Sequence, residues 1–371
     1  MQTNMADLAV AFALAEEIDA IEIPFVLHAL QERRQRRDIP KIQGSFVKEV
    51  VFHYTPSVFR THFRLSPGLV EDLIRDLHPY YSNMAGTKWP LKDAMLACLW
   101  TLGNLESYRS VAERFNTSKS NLSNHLHDIC NLIVTHCNHK ISWPTGPAAW
   151  QIEQAFRSTG FPQTLAAVDA CHIRIVKPRN ADCPDAYFNS KHFHSVNLTA
   201  FTDHSTRFVH INVGHPGSWH DAQVYAQTEV ARLLDQSPES LLSEGMHLIG
   251  DSAYPLSEHL MTPFRDNGRL TRAQKRYNRR LSAARMVVER AFGFLKSRFR
   301  RLRGLHMRSI KNSGLAITAC CILHNMCLEA AEENFELNEE SEKDKIDEEL
   351  LEQLPPHHPG VQKRNAICAS F

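Results

Sequence analysis

The stretch Thr164-Leu-Ala-Ala-Val-Asp169 is a short apolar run that ends at a single carboxylate. A second short run, His247-Leu-Ile-Gly-Asp251, ends in the same way. Short apolar runs with polar boundaries predict buried β-strands. In an α/β sheet, the strand ends form the crevice where ligands bind. The pattern therefore predicts that Asp169 and Asp251 lie together at such a crevice.

Two carboxylates held close together repel each other unless one is protonated or a cation bridges them. Their hard oxygen atoms select Mg²⁺ or Mn²⁺, and these ions also bind phosphate oxygens. A third acid, Glu289, stands in an apolar helical pattern at residues 284–293, where a buried carboxylate needs a partner. For Glu289 taken alone, the simpler interpretation is an ion pair with Arg285, four residues earlier.

The rest of the chain divides into segments with different patterns. Residues 1–60 combine an amphipathic pattern with a basic cluster at 33–37, which is either a nuclear import signal or the end of a solvated helix. Residues 61–150 have helical spacing throughout. Residues 151–330 alternate short β runs with helices, which predicts an α/β domain. Residues 331–371 form an acidic tail that we predict to be disordered.

A helix-turn-helix is predicted at residues 107–130 of the helical segment. Ser118 can cap the second helix, which buries Leu122 and exposes Lys119 and Asn121. Small polar and basic residues at the start of such a helix are suited to reading the major groove of DNA. The alternative is a helical hairpin without a DNA contact, since such hairpins are frequent.

Charge is distributed unevenly along the chain, although its net value is only +1. Residues 265–303 contain fourteen lysines and arginines against Asp266 and Glu289. Residues 332–352 reverse this balance, with eleven acids against two lysines. A basic segment beside an acidic one is typical of proteins that bind polyanions, and a solvated helix face is an equally good interpretation.

The nine cysteines include no C-x-x-C pair, which indicates a reduced protein inside the cell. Cys321, His324 and Cys327 have loose zinc-ligand spacing but lack a fourth ligand, so no zinc site is predicted. The first residues carry acids and no basic segment, so no signal peptide is expected. No apolar run approaches the ~20 residues that span a bilayer.

Several motifs together resemble those of the Harbinger (PIF/Harbinger) transposase-derived nuclease family of the DDE superfamily. They occur in the family's order over about residues 60–330: Asp169-Ala-Cys-His-Ile173, Tyr187-Phe-Asn-Ser-Lys191, His194-Ser-Val-Asn-Leu-Thr-Ala200, Pro216-Gly-Ser-Trp-His-Asp221, Gly250-Asp-Ser-Ala-Tyr-Pro-Leu256, Ser282-Ala-Ala-Arg-Met-Val-Val-Glu289 and Phe292-Gly-Phe-Leu-Lys-Ser-Arg-Phe299. The resemblance implies a ribonuclease-H-like domain with Asp169 on the first strand, Asp251 after the fourth and Glu289 on the following helix. It also implies that these three catalytic acids hold Mg²⁺ or Mn²⁺ and hydrolyse DNA phosphodiester bonds.

Two further features follow from the resemblance. The spacing of Arg285, Glu289 and Lys296 is similar to a signature of related insertion-sequence transposases, although Ser282 stands where that signature has a tyrosine. Asp221 matches a further acidic position, and it is either a fourth metal ligand or a helix cap. The residues expected to contact DNA are Lys119, Asn121, Arg285, Lys296, Arg298, Arg300 and Arg301.

The resemblance also implies partners and a location. Family members act with a separate Myb/SANT-like protein that recognises DNA and aids nuclear entry, so we expect such a partner here, in the nucleus and also in the cytoplasm. The oligomeric state stays open. The alternative function is a domesticated DNA-binding or scaffold protein with little or no nuclease turnover. His172 and His220 flank acidic positions and are interpreted as structural.

Overall fold

The computed structural model describes residues 44–82, 89–179, 181–307, 309–336 and 358–371. The chain divides into two units, Met1–Gly44 and Ser45–Phe371, of which the second is described below. The predicted N-terminal amphipathic segment and basic cluster belong to the first unit and lie outside the described residues. Most of the predicted acidic tail, residues 337–357, lies outside them as well.

The N-terminal part of the second unit is helical. Its helices are α1 (Phe46–Glu49), α2 (Pro56–Phe63), α3 (Pro67–Ser82), α4 (Leu91–Gly103), α5 (Tyr108–Arg114), α6 (Lys119–Cys137) and α7 (Pro147–Ser158), with 3-10 turns at Val51–His53 and Asn138–Lys140. Helix α4 is buried on almost every side, because its sequence is nearly all apolar. The other helices pack around it, and they join its core to that of the sheet.

Helices α5 and α6 lie where the helix-turn-helix is predicted. Ser118 caps α6 by accepting a hydrogen bond from the backbone N–H of Asn121 at 3.1 Å. Leu122 is buried and Lys119 is exposed, while the Asn121 side chain donates to Thr117 Oγ1 at 2.7 Å. These contacts define a helical hairpin, and its binding to DNA stays a prediction.

A five-stranded mixed sheet forms the centre of the C-terminal part, with strand order β3-β2-β1-β4-β5. The strands are β1 (Thr164–Arg174), β2 (Ser195–Thr202), β3 (Phe208–Pro216), β4 (His247–Ile249) and β5 (Leu260–Met261). Strand β2 is antiparallel to β1 and β3, whereas β4 is parallel to β1 and to β5. The predicted α/β class is confirmed, and β1 is the central strand.

Helices cover this sheet and complete the core. They are α8 (Asp221–Ala226), α9 (Glu229–Gln236), α10 (Arg272–Arg298), α11 (Ile310–Glu329) and α12 (His358–Ala369), with 3-10 turns at Pro184–Tyr187, Pro238–Ser240 and Arg300–Arg303. The long helix α10 begins at a capping box of Thr271 and Gln274 and packs against β1 and β2. No helix among the described residues is long and apolar enough to cross a membrane.

The prediction that residues 331–371 are disordered is wrong for the final segment, which forms α12. Lys363 Nζ donates to the carbonyl oxygens of Met246 and Glu258, at 3.1 and 2.9 Å. The ring of Phe371 packs edge-on to that of Phe161, with their centroids 5.7 Å apart. The acids of the tail end at Glu352. The average composition of residues 331–371 therefore did not reveal that the last part of this segment forms a helix that packs on the rest of the chain.

Gly360 is expected to be essential for the docking of α12. A Cβ atom at this position would lie 2.6 Å from the backbone carbon of Ser257, so Gly360→Ala should lower the free energy of unfolding by about 1–3 kcal/mol. Urea denaturation measures this change. The control is Gly314→Ala in α11, where an added Cβ meets no atom within 4 Å among the described residues. That variant should gain about 0.5–1 kcal/mol. Equal effects in both variants would contradict the tight packing at Gly360.

Candidate active site

Asp169 lies on the central strand, where the apolar run places it. Its Oδ1 accepts a hydrogen bond from the N–H of Ala170 at 2.8 Å, and its Oδ2 lies 2.6 Å from Nη1 of Arg285. The side chain of Asp169 is only 14% exposed. A carboxylate on a central strand thus meets an arginine from the helix that covers the sheet.

Arg285 and Glu289 stand on one face of α10, because they are four residues apart. The guanidinium group of Arg285 contacts Glu289 as well as Asp169, so it bridges the two acids. Burial alone would lower the pKa of Arg285, but the carboxylates of Asp169, Glu289 and Asp251 raise it above its ordinary value. The predicted ion pair of Glu289 is therefore present, and it also joins Asp169.

Asp251 reaches the same region because of the strand register. Ile249 of β4 pairs with Ala167 of β1 in parallel, so the residues two positions further along each strand lie side by side. The carboxylate of Asp251 accepts a hydrogen bond from the N–H of Ala253 at 2.9 Å, and its charge raises the pKa of Asp169. The structure thus brings Asp169, Asp251 and Glu289 together, as the sequence pattern predicts. The predicted location of Asp169 at a strand end is wrong, because β1 continues past it to Arg174 and Asp169 pairs with Ala200 in the middle of the strand.

Asp221 is the first residue of α8 and is only 4% exposed. Its Oδ1 accepts a hydrogen bond from Nδ2 of Asn197 on β2, at 3.4 Å. The N-cap residue of α8 is His220. Asp221 is therefore not the N-cap but the first-turn acid of α8, and its part in holding a metal stays a prediction.

Two carboxylates of this group resist ionisation. Burial, followed by the charges of its neighbours, raises the pKa of Asp221 to about 7. The pKa of Asp169 is also raised to about 7, chiefly by burial, although Arg285 opposes the shift. Crowded, buried carboxylates of this kind provide hard oxygen donors for a divalent cation.

The donor chemistry fits a divalent cation, but the side chains are not yet arranged around one position. Among the described residues, no group of three or more His, Cys, Asp or Glu side chains stands at ligand distance from a common point. The bridge from Arg285 to Asp169 and Glu289 gives a physical reason, because a guanidinium group lies between two of the acids.

Asn197, Thr199 and Tyr254 also belong to the site, and the sequence reasoning assigned them no role. Thr199 Oγ1 donates to Oδ1 of Asn197 at 2.8 Å, which orients the amide nitrogen toward Asp221. Burial and then the charges of Asp221, Asp169 and Asp251 raise the pKa of the Tyr254 hydroxyl well above its ordinary value. The available signal was the alternation of polar residues at Ser195, Asn197 and Thr199 with apolar ones along this strand.

The two histidines beside the acids lie in different surroundings. His172 is buried, and its Nδ1 lies 3.1 Å from Ser195 Oγ, which agrees with a structural role. His220 is exposed at the start of α8. Lys296 is buried, and its Nζ donates to the carbonyl oxygen of His172 at 3.2 Å, so the prediction that it contacts DNA is wrong.

The prediction that Arg298 and Arg301 contact DNA is wrong, because both are buried. Nη1 of Arg298 donates to the carbonyl oxygen of Arg64 at 2.9 Å, and Nε of Arg301 donates to that of Thr101 at 3.0 Å. These guanidinium groups connect the end of α10 with the N-terminal helices. Arg300, between them, is exposed.

The mixed sheet and its acidic group define an α/β protein with a carboxylate-lined site. Residues 168–325 match the family model of the DDE superfamily endonucleases. The resemblance to the Harbinger transposase-derived nucleases is confirmed by this match and by the relatives below.

Two relatives show how far the similarity extends. The chain is 30% identical over 239 residues to the protein of Homo sapiens named "Putative nuclease HARBI1", which covers 62% of this chain and 64% of that protein. It is 26% identical over 302 residues to "Protein ALP1-like" of Arabidopsis thaliana, over 78% of this chain and 71% of that protein. The chain thus spans less than two thirds of the human relative. No solved structure matches it.

Proposed function

We propose that this protein hydrolyses DNA phosphodiester bonds with Mg²⁺ or Mn²⁺, in a ribonuclease-H-like domain. Asp169, Asp251 and Glu289 would hold the metal, with Asp221 as a fourth carboxylate. The observation that carries the proposal is the gathering of these acids in a buried place, where burial first and the neighbouring carboxylates second raise the pKa of both Asp169 and Asp221 to about 7. The strand order, with Asp169 on the central strand, supports it.

The residues of the chain each have a part in this chemistry. A divalent ion, when bound, supplies charge stabilisation and an activated water for phosphodiester hydrolysis. Asp169 and Asp221 would release their protons to bind it, and Asn197 would keep Asp221 in place. Arg285 would release Asp169 to a bound ion, because both cations neutralise the same carboxylate. Arg285 would then be available for a phosphate group.

The proposed function is tested by the nicking of supercoiled plasmid DNA. The wild-type protein is expected to convert the plasmid to nicked circles in Mg²⁺ or Mn²⁺, and EDTA should stop the reaction. Nicking that continues in EDTA would count against a metal-dependent site.

Exposed basic residues on α10 supply a surface for the DNA backbone. Arg272, Lys275, Arg276 and Arg279 are exposed and follow helical spacing, and Arg290 is exposed next to Glu289. One helix thus carries both a basic stripe and two residues of the acidic site. The helical spacing continues this stripe to Arg290, so a phosphate backbone bound along it would pass the residue that follows Glu289.

DNA binding should depend on salt through this stripe. The double variant Arg276→Ala/Arg279→Ala is expected to shallow the slope of log K against log[salt] by about 0.9 for each lost phosphate contact. Fluorescence anisotropy with a short duplex at several salt concentrations measures the slope. The matched control is Arg75→Ala/Arg232→Ala, which removes two exposed arginines on α3 and α9. An unchanged slope in the first variant would place the DNA on another surface.

A second candidate function is DNA binding or scaffolding without turnover. The observation that favours it is the bridge of Arg285 to Asp169 and Glu289, which already neutralises part of the site. In that case the protein would bind DNA equally well with and without Mg²⁺ and would not nick it.

We further propose that a separate Myb/SANT-like protein supplies sequence recognition, in the nucleus and also in the cytoplasm. The proposal rests on the Harbinger resemblance. The isolated chain is then expected to bind unrelated duplexes with similar affinity, and competition binding measures the difference. Tight binding to one sequence by the isolated chain would contradict this proposal.

A further inference from the structure

Two exposed aromatic rings lie on neighbouring loops, one of which leads into Asp221. Trp219 is 38% exposed and stands two residues before Asp221. Phe188 is 44% exposed and follows the 3-10 turn at Pro184–Tyr187. The N–H of Ser218 donates to the carbonyl oxygen of Ala186 at 3.2 Å, so the two loops are joined next to these rings.

The loop that carries Trp219 is held firmly against the sheet. The N–H of Gly217 donates to the carbonyl oxygen of Ser195 at 3.1 Å. A Cβ atom on Gly217 would lie 2.9 Å from that same oxygen, so only glycine fits at this approach. The N–H of Trp219 donates to the carbonyl oxygen of Pro216 at 3.1 Å, which closes the turn. The position of Trp219 relative to Asp221 is therefore fixed by backbone contacts.

Both rings are supported from within the protein. The Trp219 ring stacks on His215, with a centroid distance of 5.1 Å and an angle of 28°. The Phe188 ring packs against His194, with centroids 5.2 Å apart. A ring that is packed on one side and exposed in part loses little conformational freedom when a second flat group stacks on it.

Positive charge lies close to these rings. Arg174 is the last residue of β1 and Lys177 lies three residues beyond it, and both are exposed. Arg174 pairs in register with Ser195, which anchors the Trp219 loop. The guanidinium group of Arg174 lies 4.0 Å from the centroid of the Phe193 ring. Lys177 Nζ is 2.6 Å from the carboxylate of Asp185. Aromatic rings combined with cations are the chemistry that binds single-stranded nucleic acid, through base stacking and phosphate attraction.

We propose that Trp219 and Phe188 form a stacking site for unpaired bases of a DNA strand beside Asp221. The inference rests on the proposed function for its choice of DNA as the ligand. Unpaired bases are the ligand because a paired base presents only its edge, whereas an unstacked one offers its flat face. Such a site would hold the strand open next to the acids.

The test measures binding in EDTA, so that no cleavage occurs. A fluorescein-labelled dT oligonucleotide and a duplex of equal length are titrated with wild-type protein, Trp219→Ala and Phe188→Ala. Each variant is expected to lose affinity for the oligonucleotide by about tenfold, as expected for one stacked base, and to bind the duplex within about twofold of wild type. The matched control is Trp150→Ala, which removes a 50% exposed tryptophan on α7 and should change neither affinity.

Trp219→Phe separates stacking from folding, because it keeps a flat ring and should keep most of the oligonucleotide affinity. Unchanged oligonucleotide binding in Trp219→Ala would overturn the proposal. An equal loss in Trp150→Ala, or an equal loss of duplex binding, would overturn it as well. If oligonucleotide binding behaves as expected but the wild type fails to nick plasmid in Mg²⁺, the proposed nuclease function fails and the stacking site stands.

Discussion

Asp169→Asn is expected to reduce metal-dependent nicking by about 100-fold or more, which corresponds to roughly 3 kcal/mol in the activation barrier. The amide keeps the shape of the side chain and an oxygen that can accept the hydrogen bond from Arg285. It loses the charge that a divalent ion binds. The metal-free variant should melt no lower than the wild type above pH 7, because charging the buried Asp169, with its pKa raised to about 7, costs stability there.

Titration calorimetry with Mn²⁺ measures the loss of metal binding in Asp169→Asn directly, without an activity assay. The wild type is expected to bind Mn²⁺, and Asp169→Asn should bind it much more weakly. The control is Asp266→Asn, which changes an exposed acid in the turn before α10 and should leave both Mn²⁺ binding and nicking unchanged. Equal Mn²⁺ affinity in the wild type and in Asp169→Asn would show that the metal binds elsewhere.

Asp221→Asn should stabilise the protein in the absence of metal. It should also abolish the metal-dependent nicking activity. The pKa of Asp221 is about 7 in the folded protein and 3.8 ordinarily, so the folded state retains a proton that the unfolded state releases. The contribution of Asp221 to the free energy of unfolding is therefore fully present below about pH 4. It decreases as the pH rises to 7, by roughly 4 kcal/mol at most. Asparagine does not titrate and escapes this loss. The gain in melting temperature over the wild type should grow from pH 4 to pH 7 and then level off.

Thermal melts in EDTA at several pH values measure that gain, and melts with Mn²⁺ add the second test. The wild type should be stabilised by Mn²⁺, whereas Asp221→Asn should gain little. If Asp221 were only part of the first turn of α8, the variant would keep its nicking activity and its response to Mn²⁺, since asparagine substitutes well for aspartate at a helix start. Retention of both would reduce the site to Asp169, Asp251 and Glu289.

The parts of this fold that could be predicted depend on short-range patterns. An apolar run that ends at Asp169 is stable only as a buried strand. The apolar run before Asp251 is predicted to be a buried strand for the same reason, and it pairs in parallel with the first. The spacing of Arg285 and Glu289 determines that they share a helix face. The existence of the acidic group follows from these patterns, and its binding of metal stays a prediction.

The parts that could not be predicted depend on neighbours far away in sequence. Arg298 and Arg301 belong to a basic run, but their partners are carbonyl groups of the N-terminal helices, more than a hundred residues earlier. Helix α12 follows an acidic segment, and only the close approach of Gly360 to Ser257 shows that it docks. Charge averaged along a segment describes its composition and does not show which side chains reach the interior.

The most direct test of the central claim is the initial rate at which supercoiled plasmid is nicked by wild-type protein and by Asp169→Asn, measured side by side in Mg²⁺, in Mn²⁺ and in EDTA. The gathered carboxylates predict nicked circles only for the wild type and only with a divalent ion, with the variant at least about 100-fold slower. Comparable rates for the two proteins, or nicking that persists in EDTA, would contradict a metal-dependent site built on Asp169.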